Sequence, residues 1–313
     1  MKRAVVLGAI LLAAAVTAAA ARSGAQQKPD AAALQVDKIR DNLFVFRGGG
    51  GNTAVFITAK GVVLVDTKLP GWGQPILDKL KEITDKPVAT IINTHTHFDH
   101  VGGNPAFAPT VEVVAHEFTA AAMREMRPVT GGPDQPQVFK ESGGRGLATR
   151  TFTDRMTLGS GRERIDLYHF GRAHTGGDAW IVFPAQRVAH TGDVFPNKGI
   201  PLIDANNGGS GVEYPETLVK ATAALTDVDT IITGHFETTL TLADLNTYAE
   251  FVQELVRAVQ AAKKAGRTVD DVFNTWRVPE RFMKEGYTQI GTDPRMGPTR
   301  FRNNVDIIWN ETK

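Results

Sequence analysis

The stretch Thr94-His95-Thr96-His97-Phe98-Asp99-His100-Val101-Gly102-Gly103 constrains this chain more than any other. Four side chains able to bind a metal, His95, His97, Asp99 and His100, fall within six residues. The preceding run Val88-Ala89-Thr90-Ile91-Ile92-Asn93 is short and mostly apolar, and it reads as a buried strand. Gly102, Gly103 and Asn104 then lead into a short helical stretch. The cluster therefore sits where a strand gives way to a helix, a place where α/β folds put their chemistry. His95 and His97 are two apart, so in an extended segment they point the same way and can share one metal. Asp99 and His100 follow the turn and can face a second metal. Imidazole with a carboxylate suits zinc.

The pattern His95-x-His97-x-Asp99-His100 resembles the signature of the metallo-β-lactamase fold superfamily. The resemblance continues in Ala173-His174-Thr175-Gly176-Gly177-Asp178, in Thr191-Gly192-Asp193 and in Thr233-Gly234-His235, in order and spacing from about Val36 to His235. It implies an α/β fold, the four-layer αβ/βα sandwich, with metals at one edge between two sheets. It also implies a ligand set: His95, His97 and His174 on one metal, Asp99, His100 and His235 on the other, and Asp193 bridging. Two Zn(2+) ions are expected, with iron or manganese as other candidates. The implied reaction is hydrolysis, in which a metal-activated hydroxide oriented by the catalytic Asp99 attacks a carbonyl, a β-lactam amide among the possible substrates. Asp193 stands where many true β-lactamases of this fold lack an aspartate, so a glyoxalase II-like thioesterase or lactonase is an alternative. An alternative of another class is a non-catalytic periplasmic metal-binding protein.

The N-terminus is a separate unit. Lys2 and Arg3 precede an alanine-rich apolar run from Ala4 to Ala21, and small residues then lead to polar ones, the three parts of a secretory signal peptide. Residues 1–25 are assigned to it, with cleavage after Ala25, Ala20 or Ala21. An uncleaved anchor is the competing reading, and the run is short for one. A periplasmic or secreted location follows. The chain of 313 residues contains no cysteine, so disulfides, thiolate ligands and a lipoprotein anchor are all excluded. A formal charge of +1 gives no reason to expect nucleic acid or an anionic membrane as partner. The expected partner is a small molecule with a hydrolysable carbonyl.

Residues 26–313 read as one domain with a helical extension from about 241. Leu34 to Phe46 reads as strand, turn, strand, and Gly48 to Gly51 as a turn or a mobile flap beside the site. Asp66 ends a strand and is a candidate for fixing a ligand histidine from behind. Trp72 to Thr84 has helical periodicity. His116 reads as a helix start, and His169 and His190 as structural. Arg127 to Arg150, rich in glycine and proline, reads as a long loop, either a lid or an insertion. Thr151 to Thr157 reads as one strand. Lys198, Asn206 and Asn207, on the loop after Asp193, are candidate substrate contacts. Leu242 to Ala265 is a long amphipathic helix, with Trp276 and Trp309 as packing anchors beyond it.

Overall fold

Continuous apolar runs such as Gly61–Val65, buried throughout, suit strands covered on both faces, and these runs build the centre of the molecule. The computed structural model describes residues 29–132, 134–289 and 297–313. The expected signal peptide, 1–25, lies outside the described residues. The first sheet has seven strands in sequential order: β1 (Gln35–Arg40), β2 (Leu43–Arg47), β3 (Thr53–Thr58), β4 (Gly61–Val65), β5 (Val88–Asn93), β6 (Glu112–His116) and β7 (Arg150–Phe152). It is antiparallel from β1 to β4 and parallel from β4 to β7. The second sheet contains β8 (Arg155–Leu158), β9 (Ile165–Tyr168), β10 (Trp180–Phe183), β11 (Val188–His190) and β12 (Thr230–Ile232), in the spatial order β12-β11-β10-β9-β8. Only its β11–β12 pair is parallel.

The helices are α1 (Gly73–Leu80), α2 (Phe98–Val101), α3 (Glu117–Glu125), α4 (Val138–Glu141), α5 (Tyr214–Ala224), α6 (Leu242–Lys264), α7 (Val269–Thr275), α8 (Glu280–Met283) and α9 (Gly297–Glu311). Alternation within the strands sorts side chains to two faces. Val45, Phe56, Val65 and Ile92 meet Leu167, Ile181, Phe183 and Ile232 between the sheets. Val55, Leu64 and Ile91 face outward onto Ile76 and Leu80 of α1. Trp180, Ala189 and Ile231 face outward from the second sheet onto α5 and α6. Helix, sheet, sheet and helix give the expected four layers. Helix α6 starts at a capping box in which Thr241 Oγ1 accepts from Asp244 N and Asp244 Oδ2 accepts from Thr241 N. Its buried face is Leu245, Tyr248, Phe251, Leu255 and Val259. Trp276 stacks on Phe301 with ring centres 5.2 Å apart, as a packing anchor should.

The stretch read as one strand, Thr151 to Thr157, is two. β7 closes the first sheet at Phe152 and β8 opens the second at Arg155. The chain crosses at Thr153-Asp154, where Asp154 O accepts from His169 N at 2.9 Å and ties the crossing to β9. Among the described residues no helix is long and apolar enough to cross a membrane.

Candidate metal centre

The parallel strands β4, β5, β11 and β12 all end at one edge of the sandwich, and the chemistry-bearing residues leave from those ends. Asp66 follows β4, and His95 and His97 follow β5. Asp99 and His100 lie on α2, a single turn whose N-cap is His97. Asp193 sits in the turn after β11, and His235 follows β12. His174 comes from the loop between β9 and β10. The fold gathers all seven predicted ligands into two adjacent groups: His95, His97, His174 and Asp193 in one, and Asp99, His100 and His235 in the other. Within each group one donor atom per residue lies within 4.8 Å of the others. Asp193 lies between them. Its Oδ2 is 3.9 Å from His174 Nε2 and 3.1 Å from His235 Nε2, and its Oδ1 is 3.4 Å from His100 Nε2.

What orients each imidazole is the hydrogen bond made by its other nitrogen. His97 Nε2–H donates to Asp204 Oδ2 at 2.7 Å, and His174 Nδ1–H donates to Leu202 O at 2.7 Å. Both partners are pure acceptors, so when the rings are neutral His97 Nδ1 and His174 Nε2 carry lone pairs, and these two atoms face each other at 3.1 Å. Thr94 Oγ1 donates to Asp66 Oδ2 at 2.7 Å and therefore accepts from His95 Nδ1–H at 2.9 Å. That leaves His95 Nε2 buried with no hydrogen-bond partner among the described residues. His100 Nδ1–H donates to the same Asp66 Oδ2 at 2.7 Å. Asp66 thus anchors a histidine in each group, and it does so from a left-handed backbone conformation (φ +64°) that a non-glycine residue rarely adopts.

The charge pattern agrees with this donor set. Burial lowers the His95 imidazole well below its ordinary range, and the neighbouring rings of His100, His174 and His97 add to the effect. Burial likewise pushes His174 down to about 4. Burial would lower His100 too, but the carboxylates of Asp193, Asp99 and Asp66 outweigh it and hold the ring well above its usual value. His235 is raised against burial by Asp193 and Asp99. Converging lone pairs, an orphaned ring nitrogen and carboxylates that favour positive charge together fit divalent cations.

The other predicted residues divide. Asp66 has the anchoring role expected of it. His116 caps α3, its Nδ1 accepting from Phe118 N at 3.2 Å, and His169 stacks on it with ring centres 4.1 Å apart. His190 bridges Asn52 O and Gly192 N inside the sandwich. Lys198 is not a free substrate clamp, because it pairs with Asp244 of α6 at 2.7 Å. Asn206 and Asn207 also turn away from substrate duty. Asn206 Nδ2 donates to Pro128 O, and Asn207 Nδ2 donates to Asp204 Oδ2. The long loop from Arg127 to Arg150 is fastened down. Thr130 N and Oγ1 both donate to Asp204 Oδ1, and Gln135 Oε1 accepts from Phe98 N between two ligands. Its α4 buries Val138 and Phe139 against Val101 and Met123. The residue that sequence reasoning missed is Asp204. Its one local signal is the turn Asp204-Ala205-Asn206-Asn207, in which its side chain caps Asn207 N.

Residues 47–235 match the model of the Metallo-beta-lactamase superfamily. The chain is 28% identical over 209 residues to the 2,4-dinitroanisole O-demethylase subunit alpha of Nocardioides sp. (strain JS1661), covering 65% of this chain and 58% of that one. It is 25% identical over 179 residues to a metallo-beta-lactamase type 2 of Elizabethkingia meningoseptica, covering 52% of this chain and 61% of that one. The chain thus spans less than two thirds of the length of both relatives. In fold it is similar to the stereoselective inverting sec-alkylsulfatase Pisa1 from Pseudomonas sp., with a TM-score of 0.71 at 14% identity over 87% of this chain and 50% of the other. The matched span carries every ligand motif, the first sheet from β3 onward and the whole of the second sheet, and the chain belongs to the metallo-beta-lactamase superfamily.

Proposed function

We propose that this chain is an exported hydrolase that works with two divalent metal ions, zinc by preference, on a small substrate with a hydrolysable carbonyl. The observation that carries the reading is the pair of lone pairs on His97 Nδ1 and His174 Nε2, facing each other at 3.1 Å with both rings locked from behind. In neutral rings these lone pairs repel unless a cation lies between them, and the orphaned His95 Nε2 in the same group favours a metal ion there over a shared proton. His95, His97, His174 and Asp193 would hold one ion, and Asp99, His100 and His235 the other. Bound there, the metals would supply Lewis acidity and lower the pKa of a water to roughly 7. Asp99, with its side chain 23% exposed, is the carboxylate at the mouth able to orient the attacking water and accept its proton. Asp193 keeps the two groups in register. The alanine-rich N-terminal run supports export.

For the substrate, thioesters and lactones stand beside β-lactams, because Asp193 occupies the position that many β-lactamases of the fold fill otherwise. A second reading has its own support. The demethylase subunit is named for removing a methyl group from an aryl ether, so an activated aryl ether is a further substrate class. The test is turnover of a chromogenic cephalosporin, a thioester, a lactone and 2,4-dinitroanisole by the zinc-loaded chain, with and without chelator. Chelator-sensitive turnover of one class, restored by zinc, is the expected result. Turnover indifferent to chelator, or no metal uptake, would contradict the reading.

A further inference from the structure

Lys68 is completely buried, yet its ammonium meets no carboxylate at ion-pair distance among the described residues. It meets two backbone carbonyls instead, Phe46 O at 2.8 Å and Gly51 O at 2.9 Å. These carbonyls bracket the tetraglycine loop Gly48–Gly51: Phe46 lies in β2, two residues before it, and Gly51 is its last residue. Lys68 reaches them from a left-handed conformation (φ +69°), the second such non-glycine residue within three positions after Asp66. The loop is also tied along its length. Leu69 N donates to Gly49 O at 3.0 Å, and Gly51 N donates to Asp99 O at 2.8 Å. Its glycines are needed for closeness. A Cβ on Gly51 would lie 2.3 Å from His100 Cε1, and one on Gly50 would lie 2.7 Å from Asp99 O. So the loop lies directly against two ligands of one group, and neither tie touches His95, His97 or His174.

We propose that Lys68 and the tetraglycine loop form a fixed brace that positions Asp99 and His100 and so supports the second metal position selectively. This rests on the dinuclear reading above. Lys68 is a positioning residue, acting through the loop backbone and not on substrate. Its N–H donors do the holding, and those survive loss of the charge, which burial favours by lowering the amine to about 7. A flexible flap would need neither the buried lysine nor the ring-to-backbone fit at Gly51.

The test compares the full-length wild type, Lys68→Met and Gly51→Ala. Each is stripped of metal and titrated with zinc against a chromophoric chelator, with amide hydrogen exchange followed at Gly51 and Leu69. In Lys68→Met the second zinc is expected to bind about 10- to 100-fold more weakly, the range seen when a ligand's supporting partner is removed. The first zinc should be unchanged, and the Gly51 amide should exchange faster. Gly51→Ala keeps Lys68 but pushes on His100, and should weaken the second zinc alone; it decides the matter if Lys68→Met does not fold. Two zincs held with wild-type affinities in both variants, or both positions weakened equally, would overturn the brace. Fewer than two zincs on the wild type would instead overturn the dinuclear reading, and the brace with it.

Discussion

The two ligand groups lie side by side but are built differently. In the first, His95, His97 and His174 are buried, and each ring is gripped from behind by Thr94, Asp204 or Leu202. In the second, His100 is buried and gripped by Asp66, whereas the side chains of His235 and Asp99 are 30% and 23% exposed. The difference separates two tasks. A ligand set with no freedom gives up little entropy when it binds a cation, so the first group suits permanent occupancy. A set open on one side can admit a substrate and a water. In the proposed hydrolase the closed position would hold its ion and the open position would meet the reactant.

Substitutions can break or sharpen this contrast. The largest effect is expected at Asp193, which belongs to the first group and lies 3.4 Å from His100 and 3.1 Å from His235 of the second. Asp193→Ala should lose both metals and reduce turnover to the uncatalysed control, read by metal analysis alongside the assay. His97→Ala should do the same through the closed position. Retention of full metal and full activity in either would sink the assignment. Asp66→Asn comes next. Asp66 anchors His100 directly and His95 through Thr94, so both affinities should fall, by about 10- to 100-fold. Loss at one position only would mean that the Thr94 relay carries nothing. Asp204→Asn should act on the closed position alone, weakening it by about 10-fold, measured by chelator competition. The smallest effect is expected at Lys198. Its partly exposed ion pair with Asp244 is worth less than about 1 kcal/mol, so Lys198→Ala should leave KM unchanged and shift the melting temperature slightly. A large rise in KM would restore Lys198 as a substrate clamp.

The closed and open positions also differ in how far they could be read from sequence. His95, His97, Asp99 and His100 are adjacent in the chain, and their types and spacing carry their chemistry. His174, Asp193 and His235 were legible only through resemblance, since each sits in a short, common motif. Asp204 was not legible. It lies 107 residues from His97, and its role depends on two loops folding back together through Thr130 and Asn207. The partners of Lys198 and Asn206 were hidden for the same reason. A charge or amide on a loop after a ligand looks free until its partner arrives from elsewhere, here Asp244 on α6 and Pro128 on the long loop. The sheets show the same limit. The run from Thr151 to Thr157 reads as a single strand, but the change of sheet between Phe152 and Arg155 depends on which neighbours bind each half.

The most direct measurement is anomalous X-ray diffraction at the zinc edge from crystals of the zinc-loaded protein, before and after a brief chelator soak. Two peaks are expected, one among His95, His97, His174 and Asp193 and one among Asp99, His100 and His235, with the second fading first in chelator. A single peak, no peak at this edge of the sandwich, or loss of the buried ion before the open one would contradict the account.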